Sequence, residues 1–270
     1  MEKNKQTIGS SKVSPTGGDL EGAYILHLAD NALILGQRNS EWCGHGPVLE
    51  QDIAITNISL DLVGQARNFY QYAARLINQS KISDGAGGEV TEDSLAYLRT
   101  ERQFKNCLLV EQPNGDWAQT ILRQFFFSNY QYLLYRQLQN SHDNQIAAIS
   151  EKSLKEVTYH LRWSSEWVIR LGDGTEESHQ RMLKALDELW RYTGELFIPA
   201  GYEKENGLDI TLLKDPWQQK VKEILDEAGL PYPVKTFMQE GGKQGRHTEH
   251  LGYILTELQY MQRAYPGAEW

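Results

Sequence analysis

The stretch LKEVTYHLRWSSEW, residues 154–167, sets a carboxylate and an imidazole, Glu156 and His160, one helical turn apart. Extended both ways, the same register reads Ile146, Ile149, Ser153, Glu156, His160, Ser164, Trp167 and Leu171, in alternating steps of three and four. That is one face of an α-helix, predicted over about 143–171, and the face is apolar at both ends. A polar pair in the middle of such a stripe points at other helices. There it must find a hydrogen-bonding partner, a counter-charge or a metal.

The flanking sequence is helical almost throughout. Ile25, Leu28, Ala32 and Leu35 recur at helical spacing over Leu20–Gln37, after Asp19 as a candidate cap. Pro47 suits a first turn and opens a second helix to about Asn78, striped by Ala54, Ile58, Phe69, Tyr72 and Leu76. SDGAGGEVTED reads as a loop and is followed by a short helix with Leu95 and Leu98. The turn cluster EQPNGDW leads into a third long helix, Trp117–Asn140, crowded with aromatic residues that suit a core or a contact between subunits better than a ligand pocket. Beyond the LGDGT break, Thr175 caps a fifth helix to about Phe197, Asp215 caps a sixth with Pro216 in its first turn, and a last helix covers about 248–264. There is no internal repeat and no parallel-sheet pattern. The expectation is an all-α helical bundle in one domain, residues 20–270, behind a mobile N-terminal tail, residues 1–19.

Composition narrows the function. A chain of 270 residues with 40% apolar content can bury a sizeable core. A formal charge of −9 argues against nucleic acid or an acidic membrane surface as the main partner. The two cysteines, Cys43 and Cys107, fall in none of the spacings of zinc sites or disulfide frameworks, and no apolar run is long enough to span a membrane. A cytoplasmic protein is expected.

Long bundles with charged residues on inward stripes bring up the di-iron carboxylate proteins, whose site takes a Glu from each of two helices and a Glu-x-x-His from each of the other two. Three acids are suitably placed, Asp30, Asp61 and Glu156. The rest of the donor set is missing. Three residues after Asp61 comes Gly64, then Gln65; three after Glu156 comes Tyr159, with His160 one step late. The third helix has no Asp or Glu between Asp116 and Asp143. The only Glu-x-x-His, Glu176 to His179, opens the fifth helix, where acids are explained by the positive helix terminus. Glu156 and His160 are therefore expected to form a buried pair, in one polar network with Asp30, Asp61 and Gln65, and with Arg123 or Lys155 as candidate counter-charges.

The segments NSEWCGHGPVLEQDIAITNISLDLVGQARNF, ERQFKNCLLVEQPNGDWAQTI, EVTYHLRWSSEWVIRLGDGT and GGKQGRHTEHLGYILTELQYMQR resemble the C-subunit family of the bacterial phenylacetyl-CoA epoxidase, from about Leu20 to Trp270. The resemblance implies a ferritin-like bundle with additional C-terminal helices, acting as a structural subunit in aerobic phenylacetate degradation. It implies pairing with a catalytic A subunit that holds the di-iron centre, and work alongside other components including a reductase. It implies no cofactor in this chain and no chemistry by this chain alone.

One other segment carries a candidate function. GGKQGRHTEH, residues 241–250, joins three glycines to Lys243, Arg246 and His247 ahead of a helix start, a setting that receives anions. Lys243, Arg246 and His247 are candidates for contact with the coenzyme A end of phenylacetyl-CoA at the subunit boundary, or with the partner subunit itself; the bland alternative is a solvated loop with Thr248 as cap. The competing functional reading is a ferritin-like binding subunit with a residual metal or coenzyme A site of its own. An oxygenase in its own right would need an acid on the third helix, which the sequence lacks.

Overall fold

The computed structural model describes residues 17–84, 88–205, 208–233, 237–266 and 268. Eleven α-helices appear in it and no strand among the described residues: α1 (Gly17–Ser40), α2 (Leu49–Asp84), α3 (Glu92–Tyr97), α4 (Leu108–Glu111), α5 (Trp117–Leu138), α6 (Asn144–Gly172), α7 (Glu176–Trp190), α8 (Gly201–Glu205), α9 (Lys214–Glu227), α10 (Glu249–Leu258) and α11 (Tyr260–Ala264). The four long ones, α1, α2, α5 and α6, make a ferritin-like bundle.

Hydrogen bonds between side chains give the directions. Gln51 meets Trp163, Asp61 meets His160 and Gln65 meets Glu156, so numbers on α6 fall as those on α2 rise, and the two run antiparallel. Helices α1 and α2 form one hairpin, turned at Gly44 in a left-handed conformation that suits glycine, and α5 and α6 form another. A long crossover carrying α3 and α4 joins the hairpins, because α5 must start at the same end as α2.

Helix α5 is the axis of the molecule. Every residue from Thr120 to Gln131 is buried, the polar ones included, so this helix is surrounded by the others on all sides. Its aromatic run therefore belongs to the core: Phe125, Phe126, Phe127, Tyr130 and Tyr135 are all buried, and Trp217 of α9 closes over Phe126 with its indole donating to the Phe126 carbonyl at 2.9 Å. Asp116 starts α5 by accepting from the backbone of Ala118 and Gln119, and Asp143 does the same for α6. The extra helices close the ends and flanks, with α7 on α5, α9 on α5 and α6, and α8 and α10 on α1. No described helix is long and apolar enough to cross a membrane.

Several boundaries differ from the sequence expectation. Helix α1 starts at Gly17, inside the expected tail, so Asp19 lies within the helix; residues 1–16 of that tail lie outside the described residues. Asp215 is not the cap of α9, because a 3₁₀ turn, Ile210–Leu213, runs straight into the helix, and Asp209 caps that turn by accepting from the Thr211 N–H. The fifth helix stops at Trp190, and the expected last helix breaks at Gln259, whose amide instead donates to the carbonyl of Arg99 at 3.0 Å. Thr248 stands at the start of α10 but does not cap it, since its hydroxyl donates to Glu111 at 2.8 Å.

Candidate functional site

At mid-bundle, helices α2, α5 and α6 meet along a line of polar side chains. Gln131 on α5 donates to the Tyr135 hydroxyl at 3.4 Å, Tyr135 donates to Oε1 of Gln65 at 3.3 Å, and Gln65 donates to Oε2 of Glu156 at 2.9 Å. One turn along, Nε2 of His160 donates to Oδ2 of Asp61 at 2.9 Å. Glu156 and His160 thus share a face, as expected, but they do not pair with each other: each reaches across to α2. Four of the expected residues, Asp61, Gln65, Glu156 and His160, are brought together here. Burial pushes the Tyr135 phenol up, so it stays a neutral donor.

This line does not make a metal centre. Where a di-iron bundle would offer a carboxylate on the third long helix, α5 offers an amide and a phenol. Asp61 is 37% exposed on its side chain and is used by His160, whose other ring nitrogen, Nδ1, is buried without a hydrogen bond. Among the described residues no group of three or more His, Cys, Asp or Glu is arranged to hold a metal ion. The residues present do not fit a di-iron cluster. Glu176 and His179 are no half-site either: Thr175 and Ser178 form a capping box around the helix start, and Nδ1 of His179 donates to the Gly172 carbonyl at 2.6 Å.

Asp30 is not part of this network. It is fully buried against the crossover, where it accepts from the Tyr70 hydroxyl at 2.6 Å, from the Lys105 backbone at 2.7 Å and from the guanidinium of Arg99. Burial alone would lower the Arg99 pKa, but Asp30 and Tyr70 outweigh it and hold the guanidinium above its usual range. The expected counter-charges are elsewhere. Arg123 is buried but donates to the Gln112 carbonyl and the side-chain oxygens of Asn114 and Asn39, and Lys155 is exposed.

The segment 241–248 is a second correction. Lys243 and Glu203 are buried together, with the ammonium 3.1 Å from each Glu203 oxygen and also donating to the carbonyls of Leu196 and Ile198. Glu195 accepts from the backbone N–H groups of Leu108, Gly241 and Lys243. His247 donates from Nδ1 to Glu111 at 2.8 Å and from Nε2 to the Phe104 carbonyl at 3.0 Å. Both partners can only accept, so both ring nitrogens carry a proton. Burial opposes that charge, the Glu111 bond and charge outweigh it, and the His247 pKa is raised. The glycines are needed for closeness: a Cβ on Gly242 would stand 2.3 Å from the Asn106 carbonyl oxygen, and one on Gly245 as near that of Arg102. Lys243 and His247 thus face inward as structural cations. Arg246 alone of the three expected contacts is exposed.

An apolar stripe is exposed on α2. Leu49, Ile53, Leu60 and Val63, on the outer side of α2, are 72, 52, 65 and 43% exposed. Their steps of four, seven and three put them in one stripe, spanning about 21 Å at 1.5 Å per residue.

The family model for the phenylacetic acid catabolic protein matches residues 19–270. The chain is also similar to the C subunit of the 1,2-phenylacetyl-CoA epoxidase of Escherichia coli (strain K12), at 49% identity over 253 residues, covering 92% of this chain and 98% of that protein.

Proposed function

The chain belongs to the phenylacetic acid catabolic protein family, and from that premise we propose that it is the non-catalytic structural subunit of a phenylacetyl-CoA epoxidase, paired with a catalytic A subunit that holds the di-iron centre. The carrying observation is the donor set at mid-bundle. A ferritin-like bundle that offers Gln131 and Tyr135 where iron needs a carboxylate keeps its helices and its shape but not its redox chemistry. Its Asp61–His160 and Gln65–Glu156 contacts hold α6 to α2, and Tyr135 ties α5 to α2 through Gln65, so the residues that look like ligands serve as hydrogen-bonded ties.

The exposed stripe on α2 supports the pairing. An uncovered apolar stripe of four residues on one face of a long helix suits permanent contact with a helix of a second bundle. Such obligate contacts commonly bury upwards of about 2,000 Å². On this reading the chain supplies no electron path, and the reductase and the remaining components act on the catalytic subunit. The test is co-expression with the A subunit. Co-elution as a stable pair, with epoxidation lost when this chain is omitted, supports the proposal; full activity of the A subunit alone refutes it.

A further inference from the structure

Next to the clamped segment lies a polar cleft of about 650 Å³, lined by Glu101, Arg102, Gln244, Gly245, Arg246 and His247. Arg102 and Arg246 are exposed and neither has a carboxylate partner among the described residues; Arg246 reaches only the Gln244 side-chain oxygen, at 3.2 Å. One acid, Glu101, shares the lining. Oε2 of Glu101 lies over α10, where a Cβ added to Gly252 would meet it at 3.6 Å. His247 is cationic but is neutralised by Glu111 on its inner side. Two guanidiniums and one carboxylate, Glu101, thus line one cleft, and neither guanidinium is ion-paired among the described residues, on a chain whose net charge is −9.

The backbone that presents them is held from inside. Lys243 and His247 are anchored to Glu203 and Glu111, Glu195 grips the backbone of Gly241 and Lys243, and Gly245 lies directly against the Arg102 carbonyl. A held backbone spares the ordering of the loop when the arginines meet a phosphate, and guanidinium forks suit its oxygens better than a single ammonium does. We infer that the Arg102–Arg246 cleft is a binding site for phosphate groups of an organic phosphate, and, resting on the proposed function, for the phosphorylated end of the coenzyme A thioester. The cleft has no apolar slot for the aryl group, so the reacting end is held elsewhere.

The test uses the full chain and its complex with the A subunit. Coenzyme A, dephospho-coenzyme A and inorganic phosphate are titrated by calorimetry into wild type, R102Q, R246Q and the double variant. Both side chains are exposed, so melting temperatures stay level and folding does not confound the result. Coenzyme A should bind the free chain, more weakly as salt rises, with at least a tenfold loss in the double variant. Tighter binding of coenzyme A than of dephospho-coenzyme A assigns the 3′-phosphate; equal binding assigns the diphosphate. The inference is overturned by no coenzyme A binding at millimolar concentration, by equal affinity of the double variant, or by inorganic phosphate competing at equal concentration. It is also overturned if the double variant leaves coenzyme A binding unmoved and loses the A subunit, since the arginines then meet acids of the partner. Failure of wild-type chain to co-elute with the A subunit would instead count against the proposed function.

Discussion

Replacing Lys243 with Met keeps most of the side-chain volume and removes the charge together with the ammonium's hydrogen bonds. In the native fold the ammonium is fully buried, 3.1 Å from both oxygens of an equally buried Glu203. What remains around that carboxylate is the Ala200 N–H at 2.7 Å and His27, 3.6 Å away. His27 is a poor substitute cation, because burial pulls its pKa down more than Glu203 pulls it up. Breaking a buried pair from one side costs about 3–5 kcal/mol. Urea denaturation of K243M should therefore show a loss of that size, whereas R246M, at an exposed position further along the same loop, should move stability by less than about 0.5 kcal/mol. The double variant K243M/E203Q should recover much of the loss, since no uncompensated charge is left. A loss below about 1 kcal/mol in K243M, or equal losses in K243M and R246M, would refute the placement of Lys243 as an interior cation.

Glu156→Ala should cost only about 1 kcal/mol by the same assay, since its partner is the neutral amide of Gln65; a loss near 3 kcal/mol would mean a cation had been stranded. His247 has a raised pKa in the fold, so the stability it contributes is fully present below its unfolded value near 6.5 and is lost as pH rises through the folded value. Wild type should weaken over that rise relative to H247Q, and parallel stability profiles for the two would contradict the charged state. Ile53→Asp with Leu60→Asp should leave the melting temperature of the free chain within a few degrees and abolish co-elution with the A subunit; retained co-elution would move the interface off α2.

The sequence was most legible where a single helix face decides the matter. Of the stripe from Ile146 to Leu171, Ile146, Ile149, Ser153, His160 and Ser164 are buried and Glu156, Trp167 and Leu171 are half-buried, because one amphipathic helix must turn one face inward. The acid-free third helix was equally readable, being a statement about composition along one element. Partners across elements were not readable. Asp30 finds Arg99 on the crossover, 69 residues away, in a stretch too irregular to have a period. Nothing in the sequence singles out Glu111, Glu195 and Glu203, and Lys243, expected to contact coenzyme A or the partner subunit, is buried instead, because a glycine-rich segment has no period to tell which side chains point in. The three glycines were read as an anion nest, whereas two of them serve the close approach of this loop to the crossover backbone. Helix ends such as Trp190 and Gln259 were missed for a related reason: they are set by what each end meets, not by the residues before it.

The bundle has the ferritin-like shape without the donor set of a di-iron centre. The most direct measurement is the iron content of the separated chain after anaerobic loading with ferrous iron and removal of excess metal, set beside that of the catalytic A subunit treated in the same way. The expected result is well under one iron per chain here, with the A subunit loaded, and no turnover of phenylacetyl-CoA by this chain when a reductase is supplied. Two irons bound per chain would contradict it, since Gln131 and Tyr135 would then have to stand beside a working cluster that their chemistry does not support.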